Sequence, residues 1–229
     1  MDRLRLKIIP MFNKIVVSVA FLFLLNSCAA QQKSLSKNNW YAFTKNSSER
    51  LKPSSVYEFS DGMIRMYGEN IGYLMTKKSY KNFELSLQYR WNIEEKFKRG
   101  TSKKNSGVMY NIPIDSPDTI WPKGIQFQIK ENTTGDFIFL DGITAKVNGK
   151  LVEAGASVTS PKFGDNENSY GEWNTIVILS VNGKITQYLN GMLVNQGIEA
   201  SSEEGKISLN YEGSPIDFRS IELKNISDE

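Results

Sequence analysis

The stretch WNTIVILSVNGKITQYLNGMLV, Trp173 to Val194, sets the architecture. It breaks into three extended runs at two Asn-Gly pairs, Asn182-Gly183 and Asn190-Gly191. Asn-Gly between strand-like runs is the strongest short hairpin signal, because both residues accept the positive φ of a type I′ turn. The stretch therefore predicts a three-stranded antiparallel meander. Asn148-Gly149 repeats the device, and Asp61-Gly62 and Asp141-Gly142 offer similar turns. The recurrence of VNGK at Val147 and Val181 is shared turn chemistry, since no longer self-similarity accompanies it.

Beyond this meander, almost every periodic segment has period two. NFELSLQYRWN puts Phe83, Leu85, Leu87, Tyr89 and Trp91 on one face and Glu84, Ser86, Gln88, Arg90 and Asn92 on the other. Strict alternation of this kind marks a half-buried strand. SVYEFS, GMIRMYG, IGYLMTK, SGVMYNI, GIQFQIK, DFIFL, ITAKV, GKISLNY and IDFRSIELK follow the same rule, and no stretch keeps helical spacing over three turns. About twelve strands with little helix imply an all-β fold of two packed antiparallel sheets, a sandwich or jelly roll. Ligands of such folds bind on the concave face or at its rim.

The first residues read differently. Arg3, Arg5, Lys7 and Lys14 precede the apolar run IVVSVAFLFLL, Ile15 to Leu25, and NSCAAQQ follows. That is the pattern of a secretion signal, residues 1–27. Its 11 apolar residues fall short of the roughly 20 that span a bilayer as a helix. Leu25-Asn26-Ser27-Cys28 resembles a bacterial lipobox, so Cys28 is the expected lipidation site, with a membrane contact through the lipid and a cell-envelope location. Cys28 is the only cysteine, which excludes an internal disulfide. Residues 28–50 read as a linker and N-terminal segment, and 51–229 as one sandwich domain. Taking the leader's four basic side chains and one acid from totals of 28 and 25 leaves 24 of each. Without a basic excess, the electrostatic term behind nucleic-acid affinity is missing, and no nucleic-acid partner is expected.

There is no histidine, which excludes Ser-His-Asp and Cys-His arrangements and histidine-ligated zinc. What remains is carboxylates, tyrosines, lysines and arginines, able to do acid and base work, or to hold calcium through oxygen. No cofactor is fixed by the residues, and calcium is the divalent cation such ligands would suit. Candidates cluster between Asn105 and Lys146: Asn105, Ser106 and Tyr110 in KNSGVMYN; Gln126 and Gln128 in GIQFQIK; Glu131, Asp136 and Asp141 in KENTTGDFIFLDG. Two glutamines on one strand face present a mixed array of donors and acceptors, suited to a ligand rich in hydroxyls. Trp121, in the loop IDSPDTIWPKG just before that strand, reads as an exposed lid on which a sugar ring could stack. Trp91 and Trp173 read as core.

Five blocks in order, NFELSLQYRW, NSGVMYN, GIQFQIKENTTGDF, GEWNTIVILSVNGKITQYLNGMLV and EGKISLNYEGSPIDFRSIELK, resemble the landmarks of the bacterial 3-keto-disaccharide hydrolase domain family. The resemblance covers roughly Val56 to Lys224. It implies a concanavalin A-like jelly-roll sandwich, an oligosaccharide or glycoside ligand, and cleavage of glycosidic bonds in 3-keto-glucosides by hydrolysis or elimination. A ketone at C3 acidifies the C2 proton, so a base can remove it while the C1 substituent leaves. The resemblance assigns base work to Glu131, Asp136 or Tyr110. It assigns ligand contacts to Arg90, Asn105, Ser106, Trp121, Gln126, Gln128, Asp141 and Lys146, with the oxyanion on a metal or a lysine. Where the family commonly shows Gly-x-Glu-x-Gln, this chain has Gly124-Ile125-Gln126-Phe127-Gln128, an amide in place of an acid. A non-catalytic carbohydrate-binding protein of the same fold is therefore the second reading, and a purely structural envelope sandwich the third.

Overall fold

A computed structural model describes residues 32–97 and 103–227; the expected leader, residues 1–27, and the expected lipidation site, Cys28, lie outside them. Within these bounds the chain forms strands β1 (Gln32–Ser34), β2 (Trp40–Thr44), β3 (Glu58–Ser60), β4 (Met63–Met66), β5 (Gly72–Thr76), β6 (Tyr80–Lys81), β7 (Phe83–Trp91), β8 (Asn105–Ile112) and β9 (Gly124–Lys130). It continues with β10 (Phe137–Leu140), β11 (Ala145–Val147), β12 (Lys150–Val152), β13 (Ser157–Ser160), β14 (Asn174–Val181), β15 (Lys184–Leu189), β16 (Met192–Ile198), β17 (Glu204–Tyr211) and β18 (Ile216–Asn225). Helix is limited to two short 3-10 turns among the described residues.

The strands form two antiparallel sheets. The first has ten strands in the order β12-β11-β16-β15-β14-β7-β18-β4-β3, with β1 also pairing with β18. The second has eight, in the order β13-β10-β9-β8-β17-β5-β2, with β6 pairing with β17. The meander read from Asn-Gly chemistry is β14-β15-β16. Both residues of each turn have positive φ, 47° and 72° at Asn182-Gly183 and 49° and 80° at Asn190-Gly191. Both residues also have positive φ at Asp61-Gly62, Asp141-Gly142 and Asn148-Gly149.

The core lies between the sheets and follows strand parity. Phe83, Leu85, Leu87 and Tyr89 of β7 and Ile176 and Ile178 of β14 meet Val108, Tyr110, Ile125, Phe127, Leu209 and Tyr211 of the second sheet. Burying a large apolar side chain contributes about 1.5–3 kcal/mol, so this layer dominates the energetics. A second apolar cluster, Tyr41, Tyr73, Met75, Met109, Ile112, Ile138 and Leu140, lies on the opposite, outer face of the second sheet. A sheet whose outer face is also buried must be covered by something; here it is the β8–β9 loop.

Two expectations are revised by this arrangement. The sandwich starts before residue 51. β1 joins the first sheet and β2 the second, and Trp40 is fully buried in the main core. WYAFT is strand because β5 offers it a partner with apolar surface on both faces, which polar neighbours in sequence conceal. Trp173 is not core. It precedes β14 and is half-buried, with the guanidinium of Arg219 at 3.8 Å and that of Arg90 at 4.8 Å from its ring centroid.

Candidate functional site

The site grows from parity on four strands of the second sheet. In β9, Ile125, Phe127 and Ile129 point into the core, which turns Gln126, Gln128 and Lys130 outward. In β8, Val108 and Tyr110 point inward, which leaves Asn105, Gly107 and Met109 outward. In β17, Ile207, Leu209 and Tyr211 are core, so Lys206, Ser208 and Asn210 face out and Glu212 continues that stripe past the strand end. β10 adds Ile138 and Leu140. The resulting hollow has a volume of about 480 Å³ and is lined by Asn105, Trp121, Gln126, Gln128, Lys130 and Glu212 around an apolar patch of Ile138 and Leu140.

The polar side chains on this face are joined head to tail. The Ser208 hydroxyl donates to Asn210 Oδ1 at 2.8 Å, and Asn210 Nδ2 donates to Gln126 Oε1 at 3.1 Å. Gln126 Nε2 donates to Gln128 Oε1, Gln128 Nε2 to Asn105 Oδ1 at 3.3 Å, and Asn105 Nδ2 to Glu212 Oε2. Gly107 makes room for the row: a Cβ there would collide with Gln126 Cδ. Gln126 and Gln128 are only 4% and 8% exposed. Each amide in the row spends one N–H and one lone pair on its neighbours and keeps one of each. That remainder matches a sugar hydroxyl, which is both donor and acceptor.

Burial raises the pKa of the Glu212 carboxyl, opposed by the Trp121 indole and the charge of Lys130. The loop of residues 113–123 crosses the outer face as a strap and walls the hollow. Its Asp118 carboxylate accepts from the hydroxyls of Tyr41 and Tyr73 and from Arg50 Nε, each at 2.7 Å. Burial works against this carboxylate's charge, but the three donors outweigh it and hold its pKa below the ordinary value. Beneath the strap Lys206 is buried, and burial followed by the charge of Arg50 lowers its pKa.

Of the residues singled out from sequence, Asn105, Trp121, Gln126 and Gln128 share this hollow. Trp121 is 52% exposed at its edge. The others lie elsewhere. Tyr110 points into the core, where Gln187 Nε2 donates to its hydroxyl at 3.1 Å, and burial raises its pKa. Ser106 shares that inward parity and donates to Asn210 O at 2.7 Å. Arg90 and Lys146 belong to the first sheet, on the far side of the sandwich, paired with Asp217 and Glu199. Asp136 accepts the Lys162 N–H at 2.8 Å and anchors the segment after β13. Asp141 sits in an exposed turn. Glu131 is exposed, paired with Lys104 at 2.6 Å beside a separate 190 Å³ cleft with Glu167 and Tyr170. Among the described residues no three Asp, Glu or Cys side chains gather in a metal-holding group.

Sequence reasoning missed Glu212 and Asn210. The signal was the alternation of Lys206, Ser208, Asn210 and Glu212 with Ile207, Leu209 and Tyr211. It is the same two-residue period that drew attention to the glutamine pair.

Residues 31–224 match the model of the 3-keto-alpha-glucoside-1,2-lyase-like domain. The chain belongs to this family. No curated protein matches it significantly. Among solved structures, the lyase-like chain is similar to two glycosyl hydrolase candidates from Parabacteroides distasonis. One is 22% identical with a TM-score of 0.57, covering 86% of this chain and 100% of the other. The second is 18% identical with a TM-score of 0.56, covering 83% and 89%. A carbohydrate-binding module, CBM66 of Bacillus subtilis, is 11% identical with a TM-score of 0.54, covering 84% and 100%. At these identities the likeness carries the fold, a jelly-roll sandwich of two antiparallel sheets, while the family match carries the link to carbohydrate.

Proposed function

We propose that this lyase-like domain cleaves 3-keto-glucosides by elimination across C1 and C2, with Glu212 as the base. One observation carries this reading: an outward row of four amides ends at a carboxylate of raised pKa inside a hollow of sugar size. Small-molecule sites typically run from about 300 to 1,000 Å³, and this one has about 480 Å³.

The chemistry follows from the substrate. The 3-ketone makes the C2 proton acidic, and the Glu212 carboxylate takes it. The electron pair of the C2–H bond becomes an enolate on the C3 oxygen, which the Lys130 ammonium in the same hollow stabilises. The enolate then reforms the C3 carbonyl, a double bond forms between C1 and C2, and the C1–O bond breaks. The proton on Glu212 passes to the departing alkoxide, so an alcohol leaves and the carboxylate is restored. Later addition of water across the new double bond would make the net reaction a hydrolysis. A base with a raised pKa is better matched to proton transfer near neutral pH than an ordinary glutamate. The amide row holds the ring hydroxyls, and Trp121 flanks the ring. The leader and the lipobox-like Cys28 support a lipid-anchored setting in the cell envelope for this chemistry.

Purified protein mixed with 3-keto-trehalose or a methyl 3-keto-glucoside tests the reading. Growth of ultraviolet absorbance from the conjugated enone, lost in Glu212→Gln, is the expected result. An inert wild-type protein overturns it. A second reading, sugar binding without turnover, is favoured by the amide at Gln126 where the family shows an acid, and by the likeness to a carbohydrate-binding module. Sugar binding in a protein inert toward both substrates would select it.

A further inference from the structure

The amides of the outer-face row all point the same way. From Ser208 to Glu212, each nitrogen faces the oxygen of the next group along: Asn210 to Gln126, Gln126 to Gln128, Gln128 to Asn105, Asn105 to Glu212. An amide nitrogen only donates and an amide oxygen only accepts, whereas an ionised carboxylate accepts at both oxygens. The sense of the row is therefore collective: one group cannot turn without the next one turning too.

We propose that Gln126 is a positioning residue that acts through this row: its neutral amide fixes the row's direction, so that the row carries one carboxylate, Glu212, in its ionised form. A carboxylate at position 126 would set an acceptor against Gln128 Oε1. Leaving two buried acceptors face to face costs the desolvation of both, and two reversals relieve it. Gln128 turns its nitrogen toward residue 126, and Asn105 turns its nitrogen toward Gln128. Asn105 Oδ1 then faces Glu212, which must carry a proton to donate. Alternatively residue 126 itself holds the proton and the original sense survives. In either case the row takes up one proton that it does not bind with glutamine at 126.

The surroundings offer little to offset a second negative charge. Gln126 is packed among Asn210 of β17, Gly107 of β8 and Gln128 of its own strand, all neutral. Glu212 faces Asn105 of β8, the Trp121 indole of the strap and Lys130 of β9. Lys130 is the one charged side chain of these, and it is exposed. The coupling is a property of the row alone; its meaning for catalysis rests on the elimination proposed above.

The test is carboxyl-carbon NMR titration of Glu212, and of the carboxyl at position 126 where present, in the wild-type chain, Gln126→Glu, Asn105→Ala and Asn105→Ala/Gln126→Glu. In Gln126→Glu, one of the two carboxyls should bind its proton at least about ten-fold more tightly than wild-type Glu212, a rise of one pKa unit. With Asn105 removed, the Gln126→Glu substitution should change proton affinity less than about two-fold, because the row is cut, whereas charge repulsion through space would persist. Unchanged titration in Gln126→Glu overturns the proposal. So does coupling of undiminished size without Asn105. Should Gln126→Glu fail to fold, the double variant Gln126→Glu/Glu212→Gln decides: one carboxylate with a reversed row should restore wild-type melting, and failure to restore it overturns the proposal. On 3-keto-trehalose, the acid limb of the pH–rate profile in Gln126→Glu should move upward by the same factor when the titration places the extra proton on Glu212, and should stay in place when it lies on residue 126. A wild-type chain inert on the sugar would sink the elimination while the titration still decides the row.

Discussion

Replacing Asp118 by Asn tests how the strap is held. Both tyrosine hydroxyls donate to Asp118 Oδ1, and Arg50 Nε donates to Oδ2. Asparagine keeps Oδ1 as a neutral acceptor and sets an N–H₂ against the arginine. Charge-assisted bonds are about twice as strong as neutral ones, and a bond to a charged group contributes about 1.5–3 kcal/mol. Each tyrosine bond should thus weaken by about 1 kcal/mol. The Arg50 side chain is 53% exposed, so its ion pair adds no more than about 1 kcal/mol. The expected loss is about 2–3 kcal/mol at pH 7, read by urea denaturation of both proteins. Its sign with pH is fixed by linkage: Asp118 titrates lower in the folded chain than in the unfolded one, so its stabilisation is present above the unfolded value, about 3.9. It fades as pH falls through the folded value. The gap between wild type and variant should therefore narrow between pH 5 and pH 3. A loss under about 0.5 kcal/mol at pH 7, or one that stays constant on acidification, would falsify the strap's dependence on this carboxylate.

Three other outcomes are expected. Gly107→Ala should push the Gln126 side chain off the row, since the new Cβ meets that side chain's atoms and not backbone; sugar affinity measured by calorimetry should fall about ten-fold, and melting should drop as buried amides of the row lose partners. Trp40→Ala should cost about 3–5 kcal/mol, as for other fully buried aromatics, and denaturant unfolding that finds less than 1 kcal/mol would remove β2 from the core. The acid limb of turnover should sit above the ordinary glutamate value, because burial raises the pKa of Glu212 and the base must be ionised; activity should rise with pH through that limb, and a limb at or below the ordinary value would point to another base.

Much of the fold was legible because strand parity and turn chemistry are local. Asn182-Gly183 and Asn190-Gly191 announce their hairpins whatever surrounds them, and Phe83 to Trp91 announces its buried face. The glutamine pair was legible for the same reason. Glu212 was harder, because its place in the hollow depends on β17 lying beside β8, a pairing that joins Asn210 to Gly107 across about a hundred residues. Parity did carry one warning: Val108 in the core implies that Ser106 and Tyr110 point inward too, away from any outer-face ligand. Arg90 and Lys146 needed the sheet assignment to be excluded, since nothing local tells one sheet from the other.

The placement of β17 and β18 bears on how the chain reaches this structure. They come last among the described strands, yet β17 lies between β8 and β5 and β18 between β7 and β4, in the interior of both sheets. A ribosome delivers them after everything they separate. Until residues 204–225 emerge, each sheet lies in separate fragments with open inner edges, the kind of surface that invites pairing with other chains. Folding should thus be late and highly cooperative, with slow kinetics typical of non-local β pairing, and protection from other chains should matter most until residues 204–225 have joined both sheets.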